Sequence, residues 1–384
     1  MNLAGVAGPG SVRPTTHFGW GSLERLADLV DRYAPTRVVV VSGARSYQLS
    51  GAAQRIARCL PGIAVHEFVR PGELPTLDDV RAGAELLQNA RPELIIAVGG
   101  GGVIDLAKAM RTTFSVHLDG DGKRIDVLAG ETARPPLVAI PTTAGTGAEV
   151  TQFAVVYIDG VKHSIDHPAV LPDDAIVDPS LTATLSPRVT ASTGMDALAQ
   201  SIESIWSVHS TDRSRRHASR AVRLALDNLE AAVVAPTRRP REAMAMAAHL
   251  SGLAINQTRT TACHAVSYPM TAHFGVPHGH AVALTLPAML VFNAQVEQRD
   301  VNDPGGIEAV REKVNLVLEL LGVDTPEAGC DRLRQLMERI SLETSLAQLG
   351  IVDLDVILAE GFDPERAGNN PRRLSADSLR AMLA

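Results

Sequence analysis

A change of hydrophobic rhythm near the middle of the chain constrains its fold more than any other feature. Up to about residue 180, short β-branched runs alternate with helical stretches, whereas beyond Ser186 only helical periodicity remains. Thr36–Ser42 (TRVVVVS) and Glu93–Val98 (ELIIAV) read as buried strands bounded by turn residues, and Leu137–Ile140 as another that ends at Pro141. Leu77–Asn89 and Val103–Thr113 carry helical spacing, so the alternation predicts a parallel sheet covered by helices on both faces. Phe153–Asp159 with Val161-Lys162-His163 predicts a short hairpin or extended excursion, and Ala175–Val177 a brief strand. Arg188–Val208, Asp212–Val234, Arg241–Asn256, His278–Gln295, Gly306–Leu321 and Pro326–Ile340 then read as helices. The expected organisation is an α/β domain over residues 1–180 and an all-α domain over residues 181–384, with the boundary near Asp178-Pro179.

Composition narrows the function classes. The 384 residues suffice for two domains, and plentiful aliphatic side chains can build the core although only 3% are aromatic, which excludes a disordered or collagen-like chain. A net charge of −7 without a long basic run argues against nucleic-acid binding. The most apolar stretch, around Leu94–Val98, meets glycines long before the roughly 18–20 residues a membrane span requires, so no span is expected. Met1 to Pro14 lacks a basic region and a continuous apolar run, so no secretory leader is expected. Cys59, Cys263 and Cys330 are odd in number, widely spaced and outside any CxxC pattern, which points to a reduced, cytoplasmic protein.

Two loops carry phosphate-binding signals. The strand ending at Val98 runs into Gly99, Gly100, Gly101 and Gly102, and a helix begins at once. Glycines permit positive φ and close backbone approach, and a helix N-terminus offers unpaired N–H groups and partial positive charge, so a pyrophosphate fits there. A tight turn needs one glycine; four exceed that need. The loop Pro141–Glu149, with Thr142, Thr143 and Thr146, also follows a strand, and its hydroxyls suit sugar, amide or phosphate contacts. At the end of Val38–Val41 the chain reads Ser42-Gly43-Ala44-Arg45-Ser46, where dinucleotide folds often place an acid for the ribose hydroxyls. With no acid there, Arg45 flanked by Ser42 and Ser46 favours the 2′-phosphate of NADP(H) over NAD(H).

The helical half holds a metal-like constellation. Asp196 and Gln200, four apart, project from one helix face. Cys263-His264 and Pro277-His278-Gly279-His280 supply imidazoles near the ends of two more helical segments. A carboxylate and two histidines with a weak fourth oxygen ligand can hold a divalent metal and leave a position open, although most of the twelve histidines will be solvated or satisfied core residues.

Taken together and in order, these segments resemble the iron-containing (group III) alcohol dehydrogenase family. The resemblance runs from His17-Phe18-Gly19-Trp20-Gly21 to Asn370-Pro371-Arg372 and includes GGGGVIDLAKAM, PTTAGTGAEVT, the stretch from Lys162 through Pro168 to Asp178-Pro179, GMDAL and PHGHA. It implies a Rossmann-like nucleotide domain, a helical metal domain of the dehydroquinate synthase-like architecture, a catalytic cleft between them, and a dimer or larger homo-oligomer. By the same resemblance Gly99 to Gly102 embrace the pyrophosphate, Asp105 supports the nicotinamide end, and Thr142, Thr143 and Thr146 line the nucleotide. Asp196, Gln200, His264 and His278 take the four metal positions, for Fe²⁺ or Zn²⁺.

Departures from the family pattern bear on chemistry. Gln200 stands where the family usually has histidine, a weaker ligand that leaves metal affinity and identity open. Tyr268 stands where a proton-transfer histidine is common, and its hydroxyl relays a proton or hydrogen-bonds the substrate. Thr258-Arg259-Thr260-Thr261 replaces a small, glycine-bearing stretch; Arg259 flanked by Thr260 and Thr261 suits a phosphate or carboxylate in fork geometry, or makes a surface or interdomain salt bridge.

With GMDALAQSIES, TRTTACHAVSYP resembles the branch of the family that reduces phosphonoacetaldehyde to 2-hydroxyethylphosphonate in phosphonate biosynthesis, with Lys162 as a second positive charge. The implied proton source is Tyr268, His280, the ribose hydroxyl or water. Phosphonopyruvate or maleylacetate are alternative anionic carbonyl substrates. A dehydroquinate synthase-like cyclase is the rival enzyme class, separable by net cofactor consumption. An inactive binding protein is favoured only by Gln200 and Tyr268 and opposed by intact cofactor loops.

Overall fold

Strands and helices alternate through the first half of the chain and give way to helices alone in the second. The computed structural model describes residues 14–383 apart from residues 73, 113, 120, 121, 128–133, 362 and 363. The leader expectation for the first residues therefore lies almost wholly outside the described ones. Two units form, Met1–Thr143 with Ala148–Thr184, and Ala144–Gly147 with Leu185–Ala384.

The strands of the first unit are β1 (Thr15–Phe18), β2 (Arg37–Gly43), β3 (Ala64–Arg70), β4 (Leu94–Gly99), β5 (Phe114–Asp119), β6 (Gly122–Val127), β7 (Leu137–Pro141), β8 (Phe153–Ile158), β9 (Val161–Asp166) and β10 (Asp174–Val177). Its helices are α1 (Leu26–Tyr33), α2 (Ser46–Leu49), α3 (Ala52–Cys59), α4 (Leu77–Ala90) and α5 (Gly101–Met110). Six strands form one sheet in the order β1-β10-β7-β4-β2-β3, every neighbouring pair parallel. β5–β6 and β8–β9 are separate antiparallel hairpins.

Period-two alternation explains why the central strands read as continuous apolar runs. Val39, Val41, Ile95, Ala97, Leu137 and Ala139 face a core with α5 and the β8–β9 hairpin, while Val38, Val40, Leu94, Ile96, Val98, Val138 and Ile140 face one with α1 and α3. Edge strand β3 is mostly exposed and lacks that signature. α4 begins with a capping box, Thr76 accepting from the Asp79 amide at 3.1 Å and Asp79 accepting from the Thr76 amide at 2.9 Å.

After β2 the chain passes to β3 on one side and then to β4 on the other, so the strand order reverses between β2 and β4. In an open parallel sheet, the crevice outside the carboxyl ends at such a point is where ligands bind. Ser42, Gly43, Gly99 and Gly100 stand at those ends.

The second unit comprises α6 (Pro187–Trp206), α7 (Asp212–Val234), α8 (Arg238–Thr258), α9 (Ala262–Phe274), α10 (His278–Ala294), α11 (Gly306–Leu321), α12 (Pro326–Arg339), α13 (Asp355–Glu360), α14 (Pro364–Ala367) and α15 (Ala376–Leu383). α6 starts on a Ser186 cap with Pro187 in its first turn, and from Gly194 to Trp206 every residue is buried. A helix buried on all sides belongs at the centre of its bundle, and its polar residues must find partners there.

Candidate active site

The glycine turn in the α/β unit is tighter than the sequence required. Gly99 ends β4, Gly100 caps α5 in an extended conformation, and Gly101 and Gly102 form the first helical turn. None of the four has a positive φ, so their contribution is the missing side chain rather than backbone freedom. A Cβ on Gly102 would collide with Nη1 of Arg70 and stand 3.6 Å from its Cζ. Arg70 ends β3, in register with Gly43, and sequence reasoning missed it because β3 itself was not legible.

Some of the residues expected to face a nucleotide stand at the same strand ends. The hydroxyls of Ser42 and Thr142 are buried without a hydrogen-bond partner, and the Thr142 amide donates to the Gly99 carbonyl at 2.9 Å. Thr143 lies beside Gly100. Arg45 is exposed at the start of α2, where it makes no capping bond. Thr146 belongs to the short segment that packs in the helical unit.

Asp105 accepts from the Val155 amide at 3.2 Å and lies 3.6 Å from Nζ of Lys108. Burial raises its pKa, opposed by Lys108 and, more weakly, Lys162 on β9. Lys108 is fully buried and donates to Oγ1 of Thr151 at 3.2 Å and to the Phe153 carbonyl at 2.7 Å; burial pulls its pKa down to about 8. Its position three residues after Asp105 on the apolar face of α5 was the signal that sequence reasoning passed over.

In the helical unit, Asp196, His264 and His278 offer ligand atoms that all lie within 4.8 Å of one another. Nε2 of His264 is 3.4 Å and Nε2 of His278 is 4.0 Å from Oδ1 of Asp196. Oδ1 of Asp196 and Nε2 of His264 are buried without a hydrogen-bond partner. Leaving such groups unsatisfied costs about 1–3 kcal/mol each, a cost that a divalent ion between them removes. One carboxylate oxygen and two imidazole nitrogens are a donor set suited to Fe²⁺ or Zn²⁺, so the residues fit the metal.

Gly279 makes this convergence possible. A Cβ there would run into the Ser192 carbonyl and stand 2.7 Å from Cβ of Asp196, so only glycine lets the start of α10 reach α6.

Glu203, one turn beyond Gln200 on α6 and fully buried, orients His264. Its carboxylate contacts Nδ1 of His264 and accepts from Oγ1 of Thr261 at 2.7 Å and the Cys263 amide at 2.9 Å. Holding the proton on Nδ1 leaves the Nε2 lone pair for a metal, the usual carboxylate–histidine support of such sites. Burial lowers the His264 pKa, but the charges of Glu203 and Asp196 outweigh it and raise it to about 9 in the metal-free protein. Burial likewise opposes ionisation of Asp196, yet His264 and His278 hold its pKa below the ordinary value. Glu203 was legible only as the acid three residues after Gln200.

The remaining expected residues fall in several places. Gln200 is buried with Oε1 accepting from the Ser251 hydroxyl at 3.2 Å, beside Asp196. Tyr268 lies one helical turn after His264, its ring 6.4 Å from that of His278. His280 is fully buried with Nε2 2.8 Å from the Glu343 carbonyl and Nδ1 3.4 Å from Arg188, so both ring nitrogens are engaged away from the cluster. The Thr261 hydroxyl is spent on Glu203 and on Nε1 of Trp206 at 3.0 Å. Thr260 is buried, its carbonyl accepting from Asn369 at 3.0 Å.

Arg259 follows α8 with φ 62° and ψ 176°, a region that non-glycine residues avoid, and Nη1 donates to the Asn256 carbonyl at 2.8 Å. That strain is held in place by Thr258, whose hydroxyl contacts Ser204 at 3.0 Å and whose carbonyl accepts from Ser207 at 3.0 Å.

A glycine turn at the carboxyl end of a parallel strand and a carboxylate–imidazole cluster in a helical unit are the parts that a metal-assisted, nucleotide-dependent dehydrogenase or reductase requires. Two family models match the chain, Iron-containing alcohol dehydrogenase over residues 14–179 and Fe-containing alcohol dehydrogenase family, C-terminal, over residues 190–384. The chain belongs to the iron-containing alcohol dehydrogenase family and is an oxidoreductase acting on CH–OH groups. The cofactors of that family are NAD(P) and a divalent metal.

The chain is 38% identical over 336 residues to the phosphonoacetaldehyde reductase of Streptomyces viridochromogenes, a match covering 84% of this chain and 82% of that protein. It is 31% identical to the NADPH-dependent butanol dehydrogenase of Clostridium saccharobutylicum, covering 96% and 95%. Among solved structures, sulfoacetaldehyde reductase from Bifidobacterium kashiwanohense in complex with NAD⁺ superposes with a TM-score of 0.83 at 30% identity, covering 99% of this chain and 98% of that one. Among the described residues no helix is long and apolar enough to cross a membrane.

Proposed function

We propose that the protein uses NADPH and a divalent metal to reduce a small phosphonate aldehyde, phosphonoacetaldehyde, to 2-hydroxyethylphosphonate, as a step of phosphonate biosynthesis. The observation that carries this reading is the strained Arg259, five residues before His264, in a chain 38% identical to a phosphonoacetaldehyde reductase. Backbone strain of this kind persists where surrounding contacts over-determine it, and it concentrates at ligand-clamping positions.

When bound, the metal supplies Lewis acidity at the carbonyl oxygen and the reduced nicotinamide supplies hydride to the carbonyl carbon. Asp196, His264 and His278 hold the ion, with Gln200 at the fourth position, and Glu203 keeps the Nδ1 proton on His264. The Arg259 guanidinium takes the phosphonate in a forked, charge-assisted contact beside Thr260, restricting the aldehyde to a reactive pose. Thr261 supports Glu203 instead of touching substrate, and Lys162 balances Asp105. With both His280 nitrogens engaged, the proton that completes the alcohol comes from Tyr268, the ribose hydroxyl or water. The enzyme works as a homo-oligomer in the reducing cytoplasm, in keeping with its three free, buried cysteines.

Arg259→Ala should raise KM for phosphonoacetaldehyde about ten-fold or more while a neutral aldehyde of similar length is little affected. Equal effects on both would remove Arg259 from substrate recognition. A sulfonate aldehyde is the second reading, favoured by the structural likeness to sulfoacetaldehyde reductase, because the same guanidinium fits either anion. The ratio of kcat/KM for the two aldehydes decides between them.

A further inference from the structure

We infer that Trp206 and Thr261, without ligating the ion themselves, position the metal ligand His264 by fixing the carboxylate of Glu203. The inference deepens the metal reading above and rests on it. Glu203 and Trp206 lie three apart at the end of α6, so their side chains leave the helix on one side. Thr261 joins them from the start of α9: Nε1 of Trp206 is 3.0 Å from Oγ1 of Thr261, which is 2.7 Å from Oε1 of Glu203. All three residues are fully buried, so bulk solvent cannot stand in for a missing partner.

The sense of this chain of bonds is forced. An indole N–H can only donate, so the Thr261 oxygen accepts from it, and the single hydroxyl proton goes to Glu203. Oε1 of Glu203 also accepts from the Cys263 amide at 2.9 Å, and the His264 amide lies 3.4 Å away. With Oε1 held by two good donors, the carboxylate cannot turn about its own axis, and Oε2 stays on Nδ1 of His264.

Thr261 serves Glu203 at the expense of its ordinary role. It is the N-cap residue of α9, where a threonine hydroxyl usually accepts from an amide in the first turn of its own helix, yet it makes no such bond. The amides of Cys263 and His264, second and third in α9, face Glu203 instead. A carboxylate from α6 thus caps the helix that carries the metal ligand, at the end where a helix favours negative charge. Packing alone would call for neither the indole N–H nor the threonine hydroxyl.

The test measures Co²⁺ and Zn²⁺ affinity by chelator competition, and the visible absorption of bound Co²⁺, on wild-type protein, Trp206→Phe, Thr261→Val, the double variant and Thr261→Ser. Trp206→Phe and Thr261→Val should each weaken binding about three- to ten-fold and shift the Co²⁺ absorption, a smaller loss than removing Glu203 because the Cys263 amide still holds Oε1. The double variant should be no weaker than Thr261→Val, because Trp206 acts through that hydroxyl, and Thr261→Ser should bind as the wild type does. Wild-type affinity and absorption in Thr261→Val, with only its stability to urea reduced, would overturn the inference. So would losses that multiply in the double variant, which would leave Trp206 a packing residue. Thr261→Val exchanges only a hydroxyl for a methyl, and it decides the matter should Trp206→Phe fold poorly. Wild-type protein that bound neither ion would instead refute the metal reading on which the inference stands.

Discussion

Replacing Gly279 by alanine should deprive the protein of its metal without unfolding it. The new methyl carbon would stand 2.7 Å from Cβ of Asp196 and collide with the Ser192 carbonyl, where ordinary contact begins at 3.4 Å. The start of α10 must therefore retreat from α6 by at least about 0.7 Å, and His278 moves with it, whereas metal–ligand distances tolerate only about 0.2 Å. Losing one of three strong ligands should weaken Zn²⁺ or Co²⁺ binding about 100-fold, which corresponds to about 2.8 kcal/mol. Overpacking should cost a further 1–3 kcal/mol or so of stability. Chelator competition gives the metal affinity, and urea unfolding of the metal-free protein gives the stability. A variant with wild-type metal affinity and lowered stability would refute the claim that Gly279 sets the position of His278.

Three other substitutions test the same picture. Glu203→Gln should weaken metal binding about 10- to 100-fold by loosening the tautomer and orientation of His264, and unchanged affinity in chelator competition would make Glu203 merely structural. Gln200→His should tighten metal binding about ten-fold or more, since imidazole is the better ligand; a weaker or equal affinity would mean that position 200 does not reach the ion. Burial, reinforced by Arg213, His249, Arg216 and Arg220, holds His217 down to about 4, so between about pH 6.5 and 4 the unfolded chain binds a proton that the folded chain refuses. Stability should therefore fall as pH drops through that window, by about 1 kcal/mol from this group near pH 5 after allowing for solvent screening, and His217→Phe should flatten the fall in urea titrations. A parallel pH dependence in both proteins would contradict it.

The central architecture was legible because its signals are local. β2, β4 and β7 are buried on both faces and read as apolar runs, and α6, α7, α8, α10, α11 and α12 were read as helices, whereas α9, a short and largely buried helix with Pro269 inside it, was not. β3 was not legible because an exposed edge strand alternates weakly, and β1 because four residues at the opposite edge carry little pattern. Arg70 was lost with β3. The clustered residues Asp196, His264 and His278 stood out by type and order, but the roles of Glu203 and Gly279 depend on how three helices meet, which spacing along one helix does not report. His280 and Thr261 looked available in sequence because nothing in PHGHA or TRTT shows that Glu343, Arg188, Glu203 and Trp206 engage their polar atoms.

The most direct test of the proposed reaction follows NADPH absorbance with phosphonoacetaldehyde, phosphonopyruvate and a neutral aldehyde of similar length, on metal-loaded and chelated enzyme. NADPH oxidation should be rapid with phosphonoacetaldehyde, slow with the others, lost on chelation and restored by Fe²⁺ or Zn²⁺. Turnover that survives chelation, or that does not distinguish the phosphonate from the neutral aldehyde, would contradict metal-assisted reduction of an anionic aldehyde.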